Sequence, residues 1–216
     1  DDTAAIQAAL DAGVGYCPAG TYRFSTIFLN NGQELYGDSS ANTTLKLKDG
    51  LSLSVLTGVC CKAGPVAEGR VHDIALDGNI SNFVGQTWPE LNTVKHHGIN
   101  FGVQGNGPLS CKLWNIYSHD WVRNCFLFGG ARPNDHVRGW NLRGKNSGID
   151  HLFYTQASFD LVLVDTVCEG YWHGGAITCQ GDTFIDTTMR NITPNPWAVE
   201  GRLSWGGQHQ GNAPCG

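Results

Sequence analysis

The chain has 216 residues, enough for one domain and too few for two separate cores. Hydrophobic residues make up 41% and charged residues only 15%, which excludes a disordered chain. A net charge of −5 with no basic block excludes nucleic acid as a partner, and no apolar run is long enough for membrane insertion.

In chain order, residues 1–10 (DDTAAIQAAL) place Ile6 and Leu10 four apart on one helical face, with acids at the start to suit the helix dipole. The spacing predicts a helix over 3–11. Val14 to Tyr22 reads as a strand ending in a turn, and Gln33-Glu34-Leu35-Tyr36-Gly37 as a second strand. Beyond these, abundant Gly and Asn favour turns and strands over helices.

A repeat then governs the chain. A polar or aromatic residue, then Asn, Asp or Thr, then an aliphatic residue recur as His72-Asp73-Ile74, Trp114-Asn115-Ile116, Trp140-Asn141-Leu142, Asp165-Thr166-Val167 and Arg190-Asn191-Ile192. With the aliphatic residue as anchor, the intervals from 74 to 116, 142, 167 and 192 are 42, 26, 25 and 25. The long first interval is one period plus an insertion, placed at residues 80–97. Each period holds a second apolar strand: Gly98 to Phe101, Asn124 to Phe128, Asp150 to Tyr154 and Gly175 to Cys179. The leucines of a leucine-rich repeat are missing, the 3.6-residue pattern of helical repeats is absent, and a propeller blade needs a longer period. The fold expected is a right-handed parallel β-helix.

The opening string, with Val14-Gly15-Tyr16-Cys17-Pro18-Ala19-Gly20-Thr21-Tyr22, resembles the amino-terminal segment of the pectate-lyase-like superfamily. There a DDTxAIQxA helix caps the open end of the β-helix and a PxGxY strand begins the first coil. The resemblance implies one domain: a capping helix (1–12), first coils (13–79), an insertion (80–97), regular coils (98–200) and a terminal loop (201–216). The superfamily's usual strand before the cap helix is absent, so the chain reads as part of a longer one.

Eight cysteines and three sequons, at Asn42, Asn79 and Asn191, favour a secreted glycoprotein with disulfides. Local pairing suggests Cys111 with Cys125 and Cys168 with Cys179. No signal peptide is visible in these residues.

Stacked coils align residues one period apart. Counted from the anchor, His119, Asp120, Trp121 and Arg123 fall beside Arg143 and Lys145, and these beside Tyr171, Trp172 and His173, with Asp150 and His151 on the adjoining strand. Indole faces stack on sugar rings, while Asp, His, Lys and Arg bind carboxylates or move protons. This flank is the expected polysaccharide groove: His119, Asp120, Lys145, Asp150, His151 and His173 as catalytic candidates, and Arg123, Trp121, Arg143, Tyr171 and Trp172 as substrate contacts. No cofactor is required by these residues. Asp73, Asp77 and Asp120 offer oxygen ligands suited to Ca²⁺, and the adjacent His96-His97 pair is too few ligands for a metal centre.

The superfamily contains polysaccharide lyases, glycoside hydrolases, uronate epimerases and binding modules. Its hydrolases carry Asn-Thr-Asp, Asp-Asp and Gly-His-Gly on successive coils. Here Asn146-Ser147-Gly148-Ile149-Asp150 matches the first only loosely, and Trp172-His173 stands where the Asp pair belongs. Its epimerases share the cap helix and Asp77-Gly78-Asn79, but their Asp-Pro-His motif has no counterpart. The reading favoured is a lyase on an acidic polysaccharide, followed by another glycan-active enzyme, then a non-catalytic binding β-helix.

Overall fold

The structure, a computed structural model, describes residues 1–61, 68–83, 94–101, 110–147, 153–159, 162–169, 176–180, 183–185 and 188–190. Among the described residues, strands wind into two sheets, and every strand pairing in them is parallel. One sheet has eleven strands and runs from Tyr16–Cys17 through Arg70–Asp77, Lys112–Trp121 and Arg138–Ser147 to Thr183–Ile185 and Thr188–Arg190. The other has six: Thr26–Leu29, Thr57–Cys61, His96–Asn100, Asn124–Asp135, Phe153–Phe159 and Ala176–Gln180. This is the parallel β-helix expected from the repeat.

Alternation along each strand sends one set of side chains inward. Leu35, Leu45, Val71, Ile74, Leu113, Ile116 and Leu142 from the long sheet meet Ile27, Val59, Ile99 and Phe126 from the other, all buried. The anchors Ile74, Ile116 and Leu142 pair in register and form the core's spine.

The helix Thr3–Asp11 buries Ile6 and Leu10 over the end of the coil. Its polar residues satisfy the backbone of the first coil, an edge that would otherwise be open for pairing. The Asp2 carboxylate accepts from the Arg23 N–H at 2.7 Å, and Thr3 Oγ1 accepts from the Ser25 N–H at 3.0 Å. The Gln7 amide accepts from Phe28 N–H at 2.8 Å and donates to Phe28 O at 3.0 Å, imitating a strand neighbour.

The long strands bend twice, at residues of positive φ. The first bend carries Asp73, Asn115, Asn141 and Asp165, and the second carries Asp120 and Asn146. Asn and Asp tolerate this left-handed conformation best among residues with a Cβ. Their side chains also link the rungs: Asn115 donates to Asp73 at 2.7 Å, and Asn141 donates to Asn115 at 2.8 Å. An amide both donates and accepts, so Asn is suited to the middle of such a ladder.

Two expectations about the repeat need correction. Val167 pairs with Arg143, not with Leu142, and the buried Thr166 takes the anchor position. Val167 in turn pairs with Thr188, a step of 21, and Ile192 lies outside the described residues. The strands keep register while the turns between them shorten. Ile74 to His97 is 23 positions, whereas the equivalent Ile116 to Asn124 is 8, and His96 and His97, expected within the insertion, belong to the strand His96–Asn100.

The Cys111–Cys125 bridge does not form. Both are buried thiols, as are Cys17 and Cys60, and the ten-residue strand Lys112–Trp121 separates the pair. A disulfide needs Cα atoms within about 7 Å. Burial pushes the Cys17 thiol up to about 11 and Cys111 to about 12. The side chains of Cys168 and Cys179 lie outside the described residues.

Candidate functional site

At the second bend, the ends of three long strands bring Asp77, His119 and Lys145 to the same position on adjacent rungs. All three alternate outward from buried neighbours, Leu76, Ser118 and Gly144. His119 Nδ1 lies 2.8 Å from Asp120 Oδ2, and Asn146 Nδ2 donates to Asp120 Oδ1 at 2.7 Å. The carboxylate therefore receives the Nδ1 proton and leaves Nε2 as the basic nitrogen. Tyr117 stacks on the imidazole with ring centroids 4.6 Å apart.

Asp77 is engaged on both oxygens. Oδ2 pairs with Lys46 Nζ at 2.7 Å and Oδ1 accepts from the Asn79 N–H at 2.7 Å. Lys145 is exposed, on the rung beyond His119. The rung after that holds Glu169, where the 25-residue count puts Gly170. The column thus runs Lys46, Asp77, His119, Lys145, Glu169 and Arg190. A partly buried His oriented by Asp, beside an exposed ammonium, can take a proton next to a carboxylate that the ammonium neutralises.

One ligand atom each of Asp77, His119 and Asp120 lie within 4.8 Å of one another, in reach of a common cation. A cation there would compete with Lys46 for Asp77 and with His119 and Asn146 for Asp120. Asp73 is not part of this group, contrary to expectation. It sits at the first bend, 2.6 Å from His72 Nδ1 and bonded to Asn115.

Trp121 does not line a groove. It is fully buried, its indole N–H donating to Leu76 O at 3.3 Å. Gly78 and Gly98 leave it room: a Cβ on Gly78 would lie 2.6 Å from the indole and one on Gly98 2.9 Å from Nε1. Arg123 is half-buried and donates to Val94 O at 2.9 Å. Arg143 lies on the outer face past the first bend, its guanidinium 3.1 Å from Asp165 Oδ2. Asp150, His151, Tyr171, Trp172 and His173 lie outside the described residues.

His96 and His97 are buried on the second sheet, where His97 and Asn124 are register partners. His96 Nε2 donates to Ser52 O at 2.9 Å, and burial lowers its pKa to about 4. The sequon at Asn79 is corrected: its amide is buried and donates to Leu47 O and Asp49, so no glycan fits there. Asn42 is exposed, and Asn191 lies outside the described residues.

The reading of the sequence missed an outer column of rings. Tyr16, Tyr36, His72, Trp114 and Trp140 occupy one position on five successive rungs, with centroid separations of 5.2, 5.0, 3.9 and 4.9 Å. The signal was present two residues before each anchor, where His72, Trp114 and Trp140 stand in the repeat itself.

A family profile described as "Rhamnogalacturonase A/epimerase, pectate lyase-like" matches residues 1–205. No curated protein matches the chain. Among solved structures, the Azotobacter vinelandii mannuronan C-5 epimerase AlgE4 A-module matches at 20% identity with a TM-score of 0.54, over 86% of this chain and 55% of that one. The chain therefore spans about half the length of that structure, and the likeness concerns the fold.

Proposed function

We propose, from the premise that the chain belongs to the rhamnogalacturonase A/epimerase, pectate lyase-like family, that it cleaves an acidic, uronate-containing polysaccharide by β-elimination. The observation that carries this reading is the His119–Asp120 pair with exposed Lys145 on the adjacent rung. Lys145 neutralises the uronate carboxylate, which acidifies the adjacent C5–H. His119 Nε2 takes that proton. The electron pair left on carbon forms the C4–C5 double bond, the glycosidic C4–O bond breaks, and the leaving oxygen takes up a proton. Asp120 holds the imidazole in the tautomer this requires and offsets the charge it gains.

A second reading, C5 epimerisation, shares the first step and then returns a proton to the opposite face. The family's description, which includes epimerases, supports keeping it. A polymeric substrate of this kind also supports a secreted protein, with Asn42 as the accessible sequon among the described residues.

Incubation with pectate, alginate and glycosaminoglycans separates the readings. Elimination gives an unsaturated uronate absorbing in the ultraviolet. Epimerisation in heavy water gives deuterium at C5 without chain scission. New reducing ends without ultraviolet absorbance would mean hydrolysis and would remove the lyase reading.

A further inference from the structure

The ring column on the outer face stops abruptly. Each ring from Tyr36 to Trp114 is covered on both faces by neighbouring rungs, but Trp140 is followed in register by Val164. Valine is too small to cover an indole. Trp140 remains 39% exposed, one face against Trp114 at 4.9 Å and 3° and the other open above the half-buried Val164. The next rung would place another ring roughly 4.8 Å away, the separation of stacked strands.

A column of cations runs beside this step. Arg70, Lys112 and Arg138 are register partners on three successive rungs, two residues before His72, Trp114 and Trp140 and on the same face. Like charges directly opposite on neighbouring strands destabilise a sheet. Glu34 offsets the first of them, 3.7 Å from Arg70, while Lys112 is exposed. Arg138 is half-buried and donates to Val137 O at 3.1 Å, so on a chain of net charge −5 this face carries a local positive column. The column again ends on a valine: Val162 follows Arg138. One open indole face, one cation and two small apolar residues therefore meet at a single step in the surface.

We propose that this step is a second binding site for the acidic polysaccharide, separate from the His119 column and across the first bend from it. One sugar ring lies on the open face of Trp140 over Val162 and Val164, and its carboxylate faces Arg138 and Lys112. The choice of an acidic glycan rests on the function proposed above, but the site itself rests on the ring, the cations and the valines. Such a site would hold the polymer while the column at the second bend acts on another part of it.

The test is calorimetric titration of the full chain with oligogalacturonate and oligomannuronate, with a cello-oligosaccharide as neutral control. Wild type is compared with Trp140→Ala, Arg138→Gln, Val164→Trp and His119→Ala. Val164→Trp extends the existing stack and fills the step, so it decides the matter if Trp140→Ala fails to fold. Binding of either acidic glycan, weakened at least tenfold by Val164→Trp and Arg138→Gln whether or not His119→Ala is also present, is the expected result. Wild-type affinity in Val164→Trp, equal binding of the neutral control, or no binding of either acid would overturn the site. If the step binds but no acidic glycan is turned over, the catalytic reading falls and the binding site stands.

Discussion

The imidazole of His119 lies 2.8 Å through Nδ1 from the carboxylate of Asp120, its own neighbour in the chain. Adjacent residues on a regular strand point to opposite faces and do not meet in this way. The bend at Asp120, with φ of 56°, turns the carboxylate back onto the ring. Asn146 on the next rung fixes it there.

That arrangement predicts a graded pair of variants. His119→Ala should lower turnover of the acidic polysaccharide by about 10²–10⁴-fold, the usual weight of a general base. Asp120→Asn keeps the bend and the size but no longer demands a proton on Nδ1, so it should lower the rate with little change in KM. Steady-state rates on one polymer, with melting temperatures as control, check both. Equal rates in wild type and His119→Ala would move the chemistry elsewhere on the flank.

The contrast between His119 and Trp121 marks what the sequence makes legible. The period aligned Asp77, His119 and Lys145 because strand register repeats faithfully from rung to rung. Side-chain direction at a bend is not periodic, so Trp121, two residues further on, turned into the core instead of onto the flank. Anchor spacing failed at Val167 for a related reason: turn length varies while strand pairing persists. The ring column ending at Trp140 was legible in the period as well, two residues before each anchor, on the strand and not in the turn that follows it.

Trp121 should therefore behave as a core residue. Trp121→Ala should cost about 3–5 kcal/mol, from the cavity and the lost bond to Leu76. Urea unfolding measures this directly. A loss of glycan affinity with stability unchanged would instead restore the sugar-stacking role that its burial argues against.

The ladder at the first bend predicts a conformational test. Asn115→Ala removes the bond to Asp73, leaves Asn141 without its acceptor, and strains a φ of 52°. Asn115→Gly loses the same bonds but relaxes the backbone. Both should destabilise, the alanine by about 1–2 kcal/mol more than the glycine, from the left-handed cost. Unfolding free energies in the reverse order would mean that the bend is not strained.

His96 gives the protein a pH-dependent stability of known sign. Its Nε2–H is used on Ser52 O, so charging the ring requires a proton on Nδ1, which is buried without a hydrogen-bond partner. The ring of Phe83, T-shaped to the imidazole at 4.8 Å, carries no oxygen or nitrogen acceptor. Burial thus holds the native pKa at about 4, against roughly 6.5 in the unfolded chain. Between those values the unfolded chain binds a proton that the native state refuses. The contribution is whole above pH ~6.5, declines as pH falls through the window, and is gone below pH ~4, amounting to about 3 kcal/mol. His96→Gln keeps a donor for Ser52 but removes the titration. Urea unfolding at a series of pH values should show wild type losing stability across the window more steeply than the variant, by about one proton's worth of slope. Identical slopes would mean that His96 is charged, or solvated, in the native fold.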